Sequence, residues 1–191
     1  MNHYFSVRLI GGAGHGPQHL VPKLVETLHD VLVNSTDQIA LALPRAKEGE
    51  KPKLGNVVQF FSNDKDALEQ LADRIDDRSE LADLIAVERI KSVPEPVSRW
   101  AAYTRYRLPS RKKGKKDHDE FYARKMKERA EKASEMQQLP VIFMASKSND
   151  GGRFGMGVKA MHAETGPSET GKLNGYGLSS RSNPVWVPVL Q

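Results

Sequence analysis

Between residues 3 and 87 the apolar side chains switch four times between a spacing of two and a spacing near 3.6, and that order constrains the fold more than any other feature. Residues 3–9 alternate, as a half-buried strand does. Residues 18–34 then set Leu20, Val21, Leu24, Val25, Leu28, Val31 and Leu32 along one helical stripe. Two short β-rich runs follow, 39–43 and 57–61, separated by PRAKEGEKPKLGN, a polar segment suited to a wide hairpin. Asn63 is a fitting N-cap for a second helix over 66–75, with Ala67, Leu68, Leu71, Ala72 and Ile75 on one face. Residues 84–87 read as a fourth strand. The order β-α-β-β-α-β predicts a ferredoxin-like (split βαβ) unit, with two helices packed on one face of a four-stranded antiparallel sheet.

The run VPEP (93–96) breaks helix and ladder alike, which divides the 191 residues into 1–93 and 94–191. Past it, 101–108 alternates as a strand and 120–136 reads as a helix. Residues 139–145 and 154–161 read as paired strands around SKSNDGG, and PVWVPVL as a terminal β-run. The expected class is α+β in both parts. With no cysteine, disulfide scaffolds, thiolate metal sites and cysteine nucleophiles are excluded. No stretch approaches the ~18 apolar residues of a membrane span, and the start alternates where an export leader would carry an apolar block. The expectation is a cytoplasmic protein without membrane contact.

The net charge of +5 is unevenly placed. Residues 99–132 hold thirteen basic side chains against five acidic ones, an excess of eight that leaves the rest of the chain at −3. A single-sign block in an otherwise slightly acidic chain is the footprint of a nucleic-acid binder, because neutralising phosphates releases counterions. Arg111, Lys112, Lys113, Lys115 and Lys116 form its densest part.

Two glycine-rich runs look like nucleotide loops and lack the parts. GGAGHGPQ (11–18) carries Pro17 at the third glycine of a dinucleotide loop, and GPSETGKL (166–173) carries Leu173 where a magnesium-binding Ser or Thr belongs. The six histidines are scattered, with no HExxH, so neither a metal site nor a cofactor is expected. Metal-free chemistry remains open. RNA supplies its own nucleophile in the 2′-OH, and cleavage then needs a base, an acid and donors for the phosphate. His29 lies at the border of the first helix's apolar stripe, and histidine side chains ordinarily titrate near ~6.5, where proton transfer is useful.

Three stretches together resemble a known family: the opening MNHYFSVRL with His29 on the following helix, LPVIFMASKS followed by Arg153 and Phe154, and GYGLSSRSNPVWVPV near the end. They are similar in order and spacing to the type I-F CRISPR-associated endoribonucleases that process precursor CRISPR RNA. The resemblance implies a ferredoxin-like first domain and a second domain whose basic helix lies in the major groove of an RNA hairpin. It implies a metal-independent, cofactor-free cut at the 3′ base of the stem, leaving a 2′,3′-cyclic phosphate, with the enzyme remaining bound to its product.

Carried over by position, His29 matches the catalytic histidine and Ser146 the serine that positions the ribose, with Ser148 as the neighbouring alternative. Tyr176 matches the tyrosine that orients the histidine. Arg105 and Arg107 match the stem-reading pair, and an arginine fork suits the O6/N7 edge of guanine. Arg107 stands where a glutamine is expected, so adenine reading at that second position is not implied. Phe154 would stack on the terminal base pair. The implied partners are the repeat stem-loop and the other subunits of a type I-F surveillance complex, with one monomer per hairpin. Two other readings fit parts of the sequence. A non-catalytic subunit capping a guide-RNA complex would use the same fold, and a sheet-type RNA-recognition module would need paired aromatics where only Tyr4, Phe60 and Phe61 are available.

Overall fold

The structure, a computed structural model, describes every residue except 13, 34, 110–117, 146–151, 167–170 and 191. The first sheet is built from β1 (His3–Leu9), β2 (Ala40–Ala42), β3 (Val57–Ser62), β4 (Ile85–Val87) and β5 (Lys91–Ser92). Its order is β2-β3-β1-β4, all antiparallel, which is the ferredoxin-like layout the element order predicts. The fourth position is longer than the sequence indicates. β4 pairs with Val7, Arg8 and Leu9, and β5 resumes the same edge opposite His3 and Tyr4.

Helix α1 (Pro17–Val33) starts with proline, whose missing N–H costs nothing at a first helical position. It buries Leu20, Val21, Leu24, Val25, Thr27, Leu28 and Val31. Helix α2 (Lys65–Asp76) buries Ala67, Leu68, Leu71 and Ile75 against β1 and β3. Its N-cap is Asp64, whose carboxylate accepts from the amides of Asp66 and Ala67; Asn63, the cap read from the sequence, lies one residue too early. Phe5 and Phe60 stand side by side on one sheet face, 5.1 Å apart, and Tyr4 and Phe61 on the other, 5.6 Å apart. Phe61 is fully buried, so this pair belongs to the core and offers no open stacking platform to a base.

The second sheet has the order β7-β8-β6-β9, with β6 (Trp100–Tyr106) central beside β8 (Arg153–Ala163), and β7 (Val141–Ala145) and β9 (Val187–Pro188) outside. Helix α1 packs on α2 and on β7, so it touches both halves of the molecule. The long segment between β2 and β3 also crosses over: the Gly49 amide donates to the Gln138 carbonyl at 2.8 Å, and the Glu48 carboxylate accepts from the Ala160 amide at 3.0 Å. One apolar core runs through both sheets.

Helix α3 (Asp119–Met136) joins β6 to β7 and buries none of its residues. Strong helix formers make up most of its length, so local propensity favours it without a packed stripe. Its C-terminal end is anchored: Glu135 accepts from the Tyr106 hydroxyl at 2.5 Å and from Lys159, and Arg129 donates to the Pro109 carbonyl. Lys159 and then Tyr106 hold the Glu135 carboxyl below its ordinary range, while burial and the Glu135 bond push the Tyr106 phenol up to about 12. The helix itself is electrically balanced, five basic residues beside five acidic, so the tract's excess charge sits largely in 99–117. Among the described residues no helix is long and apolar enough to cross a membrane.

Candidate active site

His29 enters its site from the border of the α1 stripe, one residue past the fully buried Leu28, and is itself half-buried. It meets a tight turn near the C-terminus. There the Asn174 side-chain oxygen accepts from the amides of Tyr176 (2.8 Å) and Leu178 (3.3 Å), and the Asn174 carbonyl accepts from the Gly177 amide at 3.0 Å. These bonds turn the Gly175 carbonyl toward α1. Gly177 lets the turn close: at φ +70° it presses so near the first sheet that a Cβ would stand 2.8 Å from the Ile39 carbonyl and 2.8 Å from the Leu28 side chain. Its own carbonyl accepts from the Leu41 amide at 2.8 Å, which ties the turn to β2.

The histidine is held in two ways. Its Nδ1 lies 2.6 Å from the Gly175 carbonyl oxygen, and its ring stacks on Tyr176 with centroids 4.5 Å apart and planes 16° from parallel. A carbonyl oxygen can only accept, so Nδ1 carries the hydrogen. In the neutral ring Nε2 is then the basic nitrogen. A half-buried imidazole with one nitrogen pinned and the other able to take a proton is the arrangement a general base requires.

The stack continues. The Arg105 guanidinium carbon lies 5.4 Å from the Tyr176 ring centre and 5.7 Å from that of Phe154, and Phe154 meets Tyr176 edge-on at 6.3 Å. Arg105 reaches this place from β6, whose edge binds the C-terminal turn: the Arg105 amide donates to the Ser179 carbonyl and the Ser179 amide to the Tyr103 carbonyl. Burial first, and the neighbouring Arg107 second, press the Arg105 guanidinium below its ordinary value; arginine keeps its charge regardless. A cation is thus set on the aromatic group that carries His29, where negative charge can be met.

The fold therefore brings His29, Tyr176, Arg105 and Phe154 into one cluster, with the exposed Arg107 two residues on from Arg105, just past the end of β6. Ser146 and Ser148 lie outside the described residues, as do Arg111, Lys112, Lys113, Lys115 and Lys116. Two parts of the site escape a reading of the sequence. The Gly175 carbonyl has no side-chain signature, and Asn174, which aims it, is recognisable only as a turn residue before GYG. Among the described residues no three His, Asp or Glu side chains converge as ligands for a metal.

A family model described as "CRISPR-associated protein (Cas_Csy4)" matches residues 4–189. No curated protein matches the chain.

Proposed function

The chain belongs to the Cas_Csy4 family of CRISPR-associated proteins, whose members are RNA-processing endoribonucleases, and from that premise we propose a specific reaction for it. The protein cuts precursor CRISPR RNA within its repeats, at the 3′ base of a stem-loop, and needs no metal. The pinned imidazole carries this reading. Neutral His29 takes the 2′-OH proton at Nε2 while Nδ1–H stays on the Gly175 carbonyl. The 2′-oxygen forms a bond to the adjacent phosphorus and the bond from phosphorus to the 5′-oxygen breaks. The products are a 2′,3′-cyclic phosphate and, once the leaving oxygen has gained a proton, a 5′-OH.

Tyr176 acts here as a positioning residue through its ring face. Ser146, with Ser148 beside it, positions the ribose by family resemblance. Arg105 reads the last base pair of the stem from the major groove with Arg107 beside it, and Phe154 caps that pair. Arg111, Lys112, Lys113, Lys115 and Lys116, leading into the exposed α3, follow the stem's phosphates and add affinity that weakens with salt. The product stays bound, and the protein enters a surveillance complex with it.

The test is incubation with the repeat RNA of its own locus in excess EDTA, beside the same RNA carrying a 2′-deoxyribose before the cut. Cleavage in EDTA to a cyclic phosphate and a 5′-OH, with the deoxy RNA bound and uncut, is the expected result. Cutting of the deoxy RNA, or activity only with added metal, overturns the mechanism. Tight binding of the natural RNA with no cleavage at all would favour the capping subunit.

A further inference from the structure

Beside the stack lies a cavity of about 510 Å³ that none of these roles uses fully, bordered by Arg105, Arg107, Lys172 and Arg181 together with Asn174 and Asn183. We propose that Lys172 and Arg181, with the two asparagine amides, form a phosphate site that takes one phosphodiester of the RNA strand close to the cut. The proposal deepens the function put forward above and rests on it.

Four cations face this space, and no carboxylate is among its described lining residues. Like charges gathered without a counter-charge repel one another, and an anion entering between them relieves that cost. Glu135, which feels Arg181 through space, is already bonded to Tyr106 and Lys159. Among the described residues no ion pair joins Arg107, Lys172 or Arg181 to an acid.

The backbone builds the site deliberately. Gly171 lies so close to the following loop that a Cβ there would stand 2.2 Å from the Pro184 carbonyl, which holds Lys172 beside Asn183. The buried Ser179 hydroxyl accepts from the Val185 amide at 2.8 Å and donates to the Val185 carbonyl at 3.4 Å, closing the loop that carries Arg181. The oxygen of Asn174 is engaged by two amides, so its NH2 is the end left for a ligand.

Arg105 is shared by the cavity and the stack, and its guanidinium lies within about 10 Å of the His29 ring. That span fits a phosphate one or two nucleotides from the one cut, either up the stem or along the flank beyond it. Lysine and arginine would hold such a phosphate as charges without reading a base.

The experiment measures binding in a His29→Ala background, so that the RNA stays whole, using the full chain and two repeat hairpins of its own locus. One ends at the cut and the other runs three nucleotides past it. Adding Lys172→Gln and Arg181→Gln is expected to weaken binding about tenfold at physiological salt and to flatten the log K against log salt slope by about 1. Restoring charge as Lys172→Arg with Arg181→Lys returns both values, which separates lost charge from misfolding. Loss on both RNAs puts the phosphate in the stem; loss on the longer one alone puts it in the flank. Unchanged affinity and slope on both RNAs overturn the site. Failure of the His29→Ala protein to bind either hairpin overturns the function proposed above, and this site falls with it.

Discussion

Helices α1 and α3 are nearly equal in length, 17 and 18 residues, and opposite in what holds them: α1 buries seven residues and packs on both α2 and β7, and α3 buries none. The difference divides the labour of the molecule. A helix clamped on two sides can hold His29 to the few tenths of an ångström that the proposed proton transfer demands, and its stripe is packing with His29 at the margin. A helix exposed along its length has no such precision to offer. It has open surface, and the excess positive charge lies in the segment that leads into it.

The contrast can be broken or sharpened by substitution. Leu24, fully buried at the centre of the α1 stripe, should cost about 2–5 kcal/mol when cut back to alanine, read by urea or thermal unfolding. A smaller loss than that of an exposed α3 residue would end the comparison. Gly177→Ala follows, at about 2–3 kcal/mol, because φ +70° and the Ile39 carbonyl leave no room for a Cβ; cleavage should fall with it, since the same turn carries the Gly175 carbonyl.

Next comes Tyr176, where the ring and the hydroxyl can be separated. If stacking orients His29, Tyr176→Ala should slow single-turnover cleavage by about 100-fold, and Tyr176→Phe by no more than about threefold. Equal losses in both would assign the hydroxyl a direct part instead. The smallest effect belongs to α3. Phe121, about half exposed, should change stability by no more than about 0.5 kcal/mol as alanine, in the same unfolding assay.

The two helices also differ in what the sequence could tell. The α1 stripe is written locally, at a spacing of three and four, because burial against a core demands that repeat; so are the strands of the first sheet at their spacing of two. His29 could be picked out at the stripe's edge for the same reason. What joins His29 to its partners is not local. Gly175, Tyr176 and Arg105 reach it only after the C-terminal turn has been tied to both β2 and β6, and backbone amides and carbonyls supply those ties. Strand β5 is short and exposed, so it carries no pattern to read. Lys172 and Arg181 lie in two unremarkable loops that a buried serine and a glycine contact draw together.

The central claim is that His29, fixed by the Gly175 carbonyl and the Tyr176 ring, performs the proton transfer. Single-turnover cleavage and hairpin affinity should therefore be measured side by side for the wild type and His29→Ala. The account predicts a rate lower by about 10³-fold or more with affinity within about threefold of the wild type. A variant that binds and still cuts at close to the wild-type rate would contradict it.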